Sequence, residues 1–584
     1  MPLRLRPLRI LAFCAGLCAA QSIQPELAQH TALFEKKIYR VTPNVYSAVG
    51  YALGNSIMIE GDRGIIIVDT LSGIDAAREV REEFRKITPK PVVAVVYTHF
   101  HPDHTQGVKG FTTAEDVAAG RVTIYAHDSL LADFVTQGGV IGPILGVRSS
   151  YSFGAQLTPE ERRGMNAGIG PIVAAGATSF IAPTKTFSDQ LDVTIAGVKL
   201  RMIHVPSEAP DEIAVFLPDS RVLLSAEVIQ GPTFPNIHTL RGTSFRDPVL
   251  WVQSIDKLRG LGAGDMVPSH GPPVAGAAGV EEVLRNYRDA IQFVHDQTIR
   301  YMNKGLTPDE LVAKVKLPPH LESFSPYLRQ FYGTVSHSVR EIYFGYLGWF
   351  EGDPVALDPT PPVESARRHV ALMGGRGRVL EESRKALDAG DAQWAAELAT
   401  YLIRVDHDDR DARMVKAAAF RKLGLAQMNI NWRNWYLVSA HELDGTLNPA
   451  VLLAGARINF GSPDTIAALP ARAWVAGHAT RLKAEQTLDV STSAAFHFTD
   501  TKEDCGLEIR RGIAQFDEQA PKHADLAIEM EKRALDRMLL GQTTMSGAMD
   551  AGEIRLTSGT KSQALQFFSY FEAPFSDPIA LTVR

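Results

Sequence analysis

A run of apolar, mostly β-branched residues, Val92-Val93-Ala94-Val95-Val96-Tyr97, ends in Thr98-His99-Phe100-His101-Pro102-Asp103-His104. The run reads as a strand buried on both faces. Its end places four metal-ligand types, His99, His101, Asp103 and His104, within six residues. Side chains two apart on an extended segment point the same way, so His99 and His101 can grip one cation. Asp103 and His104, past the Pro102 turn, can reach a second. The plainer reading is a polar strand end whose histidines bond to solvent or backbone, but four ligand types at this spacing are far rarer than a lone His. A fold that uses them must bring further ligands to the same place.

Those ligands have to be His, Asp or Glu. The chain has three cysteines, Cys14, Cys18 and Cys505. The first two fall in what reads as an export signal over residues 1–20: Arg4, Arg6 and Arg9, an apolar segment Ile10–Ala20, and small residues before Gln21. Cleavage would leave Cys505 without a partner, so disulfides do not hold this fold. The segment is too short to span a bilayer comfortably, an uncleaved apolar arm being the other reading, and no other stretch approaches that length. A periplasmic or secreted protein with no membrane span is expected. At 584 residues, 45% hydrophobic and 22% charged, the chain should form two to four globular domains. A net charge of −6 with no basic, aromatic-interleaved cluster argues against a nucleic-acid surface.

Ile57–Glu60 and Ile65–Val68 flank Gly61-Asp62-Arg63-Gly64 as a hairpin. Asp69 then either orients a ligand from behind or caps the helix that begins near Ile74. Hairpin, helix, strand and metal loop make one layer of an αββα sandwich. Residues 128–190 are Gly-rich and read as an irregular insertion, a lid or substrate-binding region, in which Tyr151 and Phe153 line a pocket or simply pack. The sandwich resumes at Leu191. Strand Val198–Val205 leads to Glu208, the hairpin Ile213–Leu217 and Val222–Ser225 leads to Glu227, and Met266-Val267-Pro268 leads to His270. Each alone is an ordinary polar residue at a strand end. With the first cluster they make two metal sites.

With these residues in hand, the chain resembles the metallo-β-lactamase superfamily, whose signature loop His99, His101, Asp103 and His104 match. Many members carry a third His in a Pro-Gly-His context; here Glu208 stands in Pro206-Ser207-Glu208-Ala209-Pro210. Where they carry a bridging Asp, this chain has Glu227. These departures, with the segment from Gln230-Gly231-Pro232 through Asn236 to Arg241-Gly242, resemble the zinc alkylsulfatases that hydrolyse sulfate monoesters such as dodecyl sulfate. The similarity covers nearly the whole mature chain. It implies two Zn²⁺ per chain: one on His99, His101 and Glu208, the other on Asp103, His104 and His270, with Glu227 bridging. Glu212 is a rival for the Glu208 role. The charges of two dications, three carboxylates and a bridging hydroxide nearly cancel, so the site would not repel an anionic ester. Zinc-bound water ionises near pH ~7. Arg241 and Asn236 are the candidates to hold the outer sulfate oxygens, Arg241 being otherwise a partner for Asp247. Tyr346, in Tyr346-Leu347-Gly348-Trp349-Phe350, matches a family segment that reaches the site, or belongs to the core.

Beyond the metal ligands, Val280–Asn303 reads as a long helix, followed by Pro-punctuated helices to about Gly345 and a linker from Asp353 to Pro362. Residues 364–443 are Ala-rich with helical periodicity and resemble the alkylsulfatase dimerisation domain, which implies a homodimer; a monomeric helical spacer is the other reading. His407, among aspartates, reads as a solvated turn. Further on, Thr487–Val490, Ala495–Thr499 and Leu507–Arg510 read as antiparallel strands, with helices near Ala524–Met530 and Ala564–Ser569. This part resembles the sterol-carrier-protein-like C-terminal module of alkylsulfatases, which shelters an aliphatic chain or only covers helical surface. The expected architecture is an α/β catalytic domain (αββα metallo-β-lactamase sandwich, 21–300), an all-α dimerisation domain (301–455) and an α+β C-terminal domain (456–584). The expected function is zinc-dependent hydrolysis of an alkyl sulfate to alcohol and sulfate. Two alternatives are another hydrolysis on the same scaffold, of a lactone, lactam or phosphoester, and a lipid carrier with a vestigial metal site.

Overall fold

Continuous apolar runs have to be covered on both sides, and here two sheets and their flanking helices do so. The computed structural model describes residues 25–173, 176–448, 450, 452, 462–573 and 580–583. The expected export signal, with Cys14 and Cys18, and the expected boundary at 455/456 lie outside the described residues. The first sheet takes its strands in sequence order: β1 (Lys37–Thr42), β2 (Val45–Val49), β3 (Ser56–Glu60), β4 (Ile65–Val68), β5 (Val92–Val96), β6 (Thr123–His127) and β7 (Lys185–Phe187). The second holds β8 (Gln190–Ile195), β9 (Val198–His204), β10 (Ile213–Leu217), β11 (Val222–Ala226) and β12 (Asp265–Pro268), ordered β12-β11-β10-β9-β8.

The period-2 alternation decides what each strand residue meets. Ile57, Ile59, Ile66, Val68, Ala94 and Val96 from the first sheet pack between the layers with Met202, Val215, Val222 and Leu224 from the second. The intervening Met58, Ile67 and Val95 face the other way, onto Ala77, Val80 and Phe84 of helix Ile74–Arg85. Across the molecule, Ile203, Ala214, Phe216 and Leu223 meet helices Pro248–Arg259 and Ala277–Met302. Each fully buried side chain of this size contributes about 1.5–3 kcal/mol. The result is the αββα sandwich.

Strand direction then gathers the site. β4 and β5 run parallel, so Asp69 and Thr98 follow them at one edge. In the second sheet β9 and β11 are both antiparallel to β10, and β12 is parallel to β11. Three strands therefore end at a common edge, and Glu208, Glu227 and His270 follow those ends.

Residues 128–190 differ from the irregular insertion expected. They contain helices Leu130–Phe134, Gly142–Ser152 and Pro159–Arg162 and a π turn at Val135–Val140. Small residues, Gly146, Ser149, Ser150 and Ser152, hide the helical signal from composition; they are buried where Gly142–Ser152 lies against helix Ile430–Asp444. Tyr151 is fully buried among Val147, Leu157, Leu437 and Val438, so it packs rather than lining an open pocket. Phe153 packs near Tyr332.

Past helix Val335–Leu347, five helices form a layered array: Pro362–Leu372, Arg376–Asp388, Ala392–Val405, Arg410–Leu425 and Ile430–Asp444. Asp391, Asp409 and Asn429 each accept a backbone N–H at the start of the next helix, so the polar turns are N-caps. His407 is exposed in such a turn.

The third sheet has β13 (Ser491–Phe498), β14 (Glu503–Arg510), β15 (Ile513–Asp517), β16 (Leu526–Met530) and β17 (Ile554–Ser558), ordered β15-β14-β13-β16-β17. Two expectations are corrected here. β16 occupies the stretch read as a helix near Ala524–Met530, and it runs parallel to β13, so the sheet is mixed rather than antiparallel. Leu-Ala-Ile-Glu-Met is built of helix formers, but its alternate burial on a sheet overrides that propensity. Thr487–Val490 is a turn leading into β13, not a strand. Helix Lys561–Ser569 covers the segment read as helical near Ala564–Ser569. The core of this domain runs without a break into the outer face of the first sheet, and the Lys109–Asp464 ion pair at 2.7 Å crosses the junction. Among the described residues, no single helix is long and apolar enough to cross a membrane.

Candidate metal centre

The end of β5 is fixed from behind. Asp69 accepts hydrogen bonds from the Thr98 backbone N–H and hydroxyl, both at 2.9 Å, and its Oδ2 lies 2.8 Å from His104 Nδ1. Helix Ile74–Arg85 has Gly73 at its N-cap, so Asp69 orients His104 and does not cap. Asp69 (φ 60°) and Ala226 (φ 52°) both occupy the left-handed region, at the ends of β4 and β11. Such conformations cost side-chain-bearing residues about 1–3 kcal/mol and persist where the surroundings over-determine them.

Seven side chains gather in two groups, His99, His101 and Glu208 in one, Asp103, His104, Glu227 and His270 in the other. Ligands at about 2.0–2.2 Å around a tetrahedral cation stand roughly 3.3–3.6 Å apart. In the first group His99 Nε2 lies 2.8 Å from His101 Nδ1, and His101 Nδ1 lies 3.0 Å from Glu208 Oε2. In the second, Glu227 Oε1 lies 3.0 Å from His104 Nε2 and 2.7 Å from His270 Nε2, while Asp103 Oδ2 is 3.4 and 3.8 Å from those nitrogens. Glu227 Oε1 is also 3.9 Å from His99 Nε2, which puts one carboxylate beside both groups.

The protonation states suit cations. Burial first, then His104 and His101, hold His99 well below the ordinary imidazole pKa, in its neutral ligand form. Burial works against the charge on Glu227, yet His270 and His104 hold it well below the usual carboxylate range. Glu208 Oε2 is buried and makes no hydrogen bond. The donor chemistry fits two divalent cations.

Neighbours hold the donors in place. His270 Nδ1 pairs with the Leu53 carbonyl at 2.8 Å, which leaves Nε2 for the centre. Glu212 does not join either group. Its carboxylate accepts from Ser207 Oγ and from the backbone N–H groups of Glu208 and Glu227, so it ties two ligand-bearing turns together. Gln230 donates to Glu227 Oε2 at 3.2 Å. Gly231 (φ 111°) passes so close to His270 that a Cβ there would lie 2.4 Å from its carbonyl oxygen, which requires glycine.

Arg241 Nη2 lies 3.4 Å from His101 Nε2, and Asp247 instead caps helix Pro248–Arg259, so the Arg241–Asp247 pair does not form. Asn236 is buried and its side-chain amide has no hydrogen-bond partner. Its backbone N–H donates to Gln230 Oε1 at 2.6 Å, which connects it to Glu227. Tyr346 lies apart from the centre. Its ring is 53% exposed and its hydroxyl pairs with His295 at 3.0 Å, because helix Val335–Leu347 turns Val339, Ile342 and Tyr343 inward instead.

Two residues at the centre escaped the sequence. Buried Arg246 forms an ion pair with Glu208; a second Arg five positions after Arg241 was its only signal. Tyr332 is buried within electrostatic range of Arg241, Glu208 and Glu227, and nothing in its local sequence marks it.

Three family profiles match the chain: the metallo-beta-lactamase superfamily over residues 49–270, alkyl sulfatase dimerisation over 307–446 and alkyl sulfatase C-terminal over 459–577. A linear primary-alkylsulfatase from Pseudomonas sp. (strain ATCC 19151) is 56% identical over 531 residues, 90% of this chain and 100% of that protein. The chain belongs to the alkylsulfatase family. An (R)-specific secondary-alkylsulfatase from Pseudomonas sp. is 31% identical, with 95% of this chain and 84% of the relative covered. The solved structure of a stereoselective inverting sec-alkylsulfatase from Pseudomonas sp. superposes with a TM-score of 0.87 at 30% identity, covering 96% of this chain and 88% of that one. As an alkylsulfatase this chain is a hydrolase, and its metallo-β-lactamase sandwich, helical dimerisation domain and C-terminal α+β domain follow the family's order.

Proposed function

We propose that this alkylsulfatase holds two Zn²⁺ per chain and cleaves alkyl sulfate monoesters, such as dodecyl sulfate, to the alcohol and inorganic sulfate. The observation that carries the reading is two donor groups sharing Glu227, with the Arg241 guanidinium beside one of them. Bound zinc ions would supply a water that ionises near pH ~7 and a Lewis-acidic seat for an ester oxygen. The remaining work falls to the chain. With His101 Nδ1 turned to the metal, Nε2 carries the proton and faces Arg241, so two donors stand 3.4 Å apart with no acceptor between them. A sulfate oxygen fits that gap. The unpartnered Asn236 amide is suited to a second oxygen. Arg246 offsets the charge of Glu208 and leaves Arg241 free for the substrate.

We divide the chain at about 300 and 455, with residues 1–20 as an export signal that sends the enzyme to the periplasm or medium. We further propose a homodimer. Phe344, Leu347, Trp349, Val355 and Leu357 are exposed within the matched dimerisation region, an apolar surface suited to a second copy.

The test is sulfate release from dodecyl sulfate by purified enzyme, with zinc measured in the same sample. Turnover of a lactone, lactam or phosphoester without sulfate release would replace this reading by another hydrolysis. Binding of apolar ligands with neither turnover nor zinc would replace it by the carrier.

A further inference from the structure

The loop that carries Arg241 does not hold itself. Arg148, on helix Gly142–Ser152, donates from Nε to the Arg241 carbonyl at 2.8 Å and from Nη2 to the Leu240 carbonyl at 2.5 Å. The next residue, Gly242 (φ 103°), lies against Leu145 of the same helix. Arg148 also stacks over the Trp435 ring at 5.2 Å, which fixes the guanidinium from its other side. One turn along, Tyr151 donates its hydroxyl to Glu442, in helix Ile430–Asp444. Glu442 is buried, and its two oxygens accept three further hydrogen bonds from the end of the chain: Leu581 N–H at 3.1 Å, Thr582 N–H at 2.8 Å and Val583 N–H at 2.7 Å. Thr582 adds a hydroxyl contact to Ser439 at 2.9 Å, and Leu581 packs beside Val147 and Tyr151.

We propose that Arg148 is a positioning residue for Arg241, and that residues 581–583, bound to Glu442, latch the helix that carries it. A buried carboxylate with one aromatic hydroxyl and three backbone donors is fully satisfied, which makes it a stiff anchor. The path from the tail to the sulfate-facing guanidinium is then continuous: backbone N–H groups, Glu442, Tyr151, one helical turn, Arg148, the Arg241 carbonyl. A guanidinium that must meet an oxyanion loses much of its effect when its loop shifts by about 1 Å.

This inference rests on Arg241 acting on sulfate, and the experiment separates the two. kcat/KM for dodecyl sulfate is measured, with zinc content and Tm, for Arg148→Met, for a chain ending at residue 579, for Arg241→Ala and for each of the first two combined with Arg241→Ala. Arg148→Met and the truncation should each lower kcat/KM about 10- to 100-fold with full zinc. In the Arg241→Ala background each should cost less than twofold, because the group they position is gone. Losses that persist there would mean a general structural role and would overturn the proposal, as would unchanged efficiency of Arg148→Met. A full effect of Arg148→Met beside a silent Arg241→Ala would overturn the sulfate role of Arg241 and, with it, the positioning claim. Arg148→Lys, which donates to one carbonyl only, should fall between Met and the natural residue.

Discussion

At the scale of single residues, the centre separates those that hold metal from those that orient. Glu227 is shared between the donor groups, whereas Asp69 acts through His104. Glu227→Gln removes a charge from a shared ligand and should cost more zinc and more activity than Asp69→Asn, whose loss is expected at 10- to 100-fold in metal affinity. Elemental analysis with turnover reads both; full occupancy and normal turnover in the Gln variant would remove Glu227 from the bridge. Arg241→Ala should keep its zinc and lose on the order of 2–5 kcal/mol in transition-state binding, with Lys restoring only part, since a point charge cannot hold two oxygens in fixed geometry. Wild-type kcat/KM with normal zinc would pass the sulfate role to another residue. The seven grouped side chains were legible because each is a ligand type at the end of an apolar strand. Arg246, Tyr332 and Arg148 were not, since their roles arise from contacts across 90 or more positions of sequence or from an ion pair that only folding creates.

At the scale of elements, period-2 runs such as β3, β4, β5 and β11 announce themselves because both faces must be apolar. Helix Gly142–Ser152 did not, because its buried face is built of small residues, and β16 was masked by helix-forming residue types. Helix Arg410–Leu425 carries a cost that can be measured. Lys416 is buried in it, over the Phe420 ring at 5.4 Å, and burial, aided by Arg404, pushes its ammonium down to about 8. In the unfolded chain a lysine titrates near ~10.4, so between the two values the unfolded state binds more protons and stability rises with pH. Below pH ~8 the penalty is present in full. Lys416→Met should therefore raise Tm most near neutral pH, with the gain shrinking toward pH ~10. An equal gain at both pH values would mean that packing, not charge, sets the effect.

At the scale of the whole molecule, the sequence pointed to an interface in the Ala-rich helices, while the exposed apolar side chains concentrate just before them, from Phe344 to Leu357. Sedimentation at micromolar concentration should give a dimer, and Trp349→Ser with Leu357→Ser should shift it toward monomer; a natural chain that sediments as a monomer would end the dimer proposal. Phe100, which stands between His99 and His101, faces Phe134 at 5.7 Å and belongs to the same buried cluster as Phe496 and Phe498 of the C-terminal sheet. The wall behind the first donor pair is thus shared property of the two ends of the polypeptide. A lineage could not shed or exchange the C-terminal module by gene fusion without repacking that wall in the same event. Divergence among such enzymes is then channelled into point changes on surface loops, and the three parts are inherited as one unit.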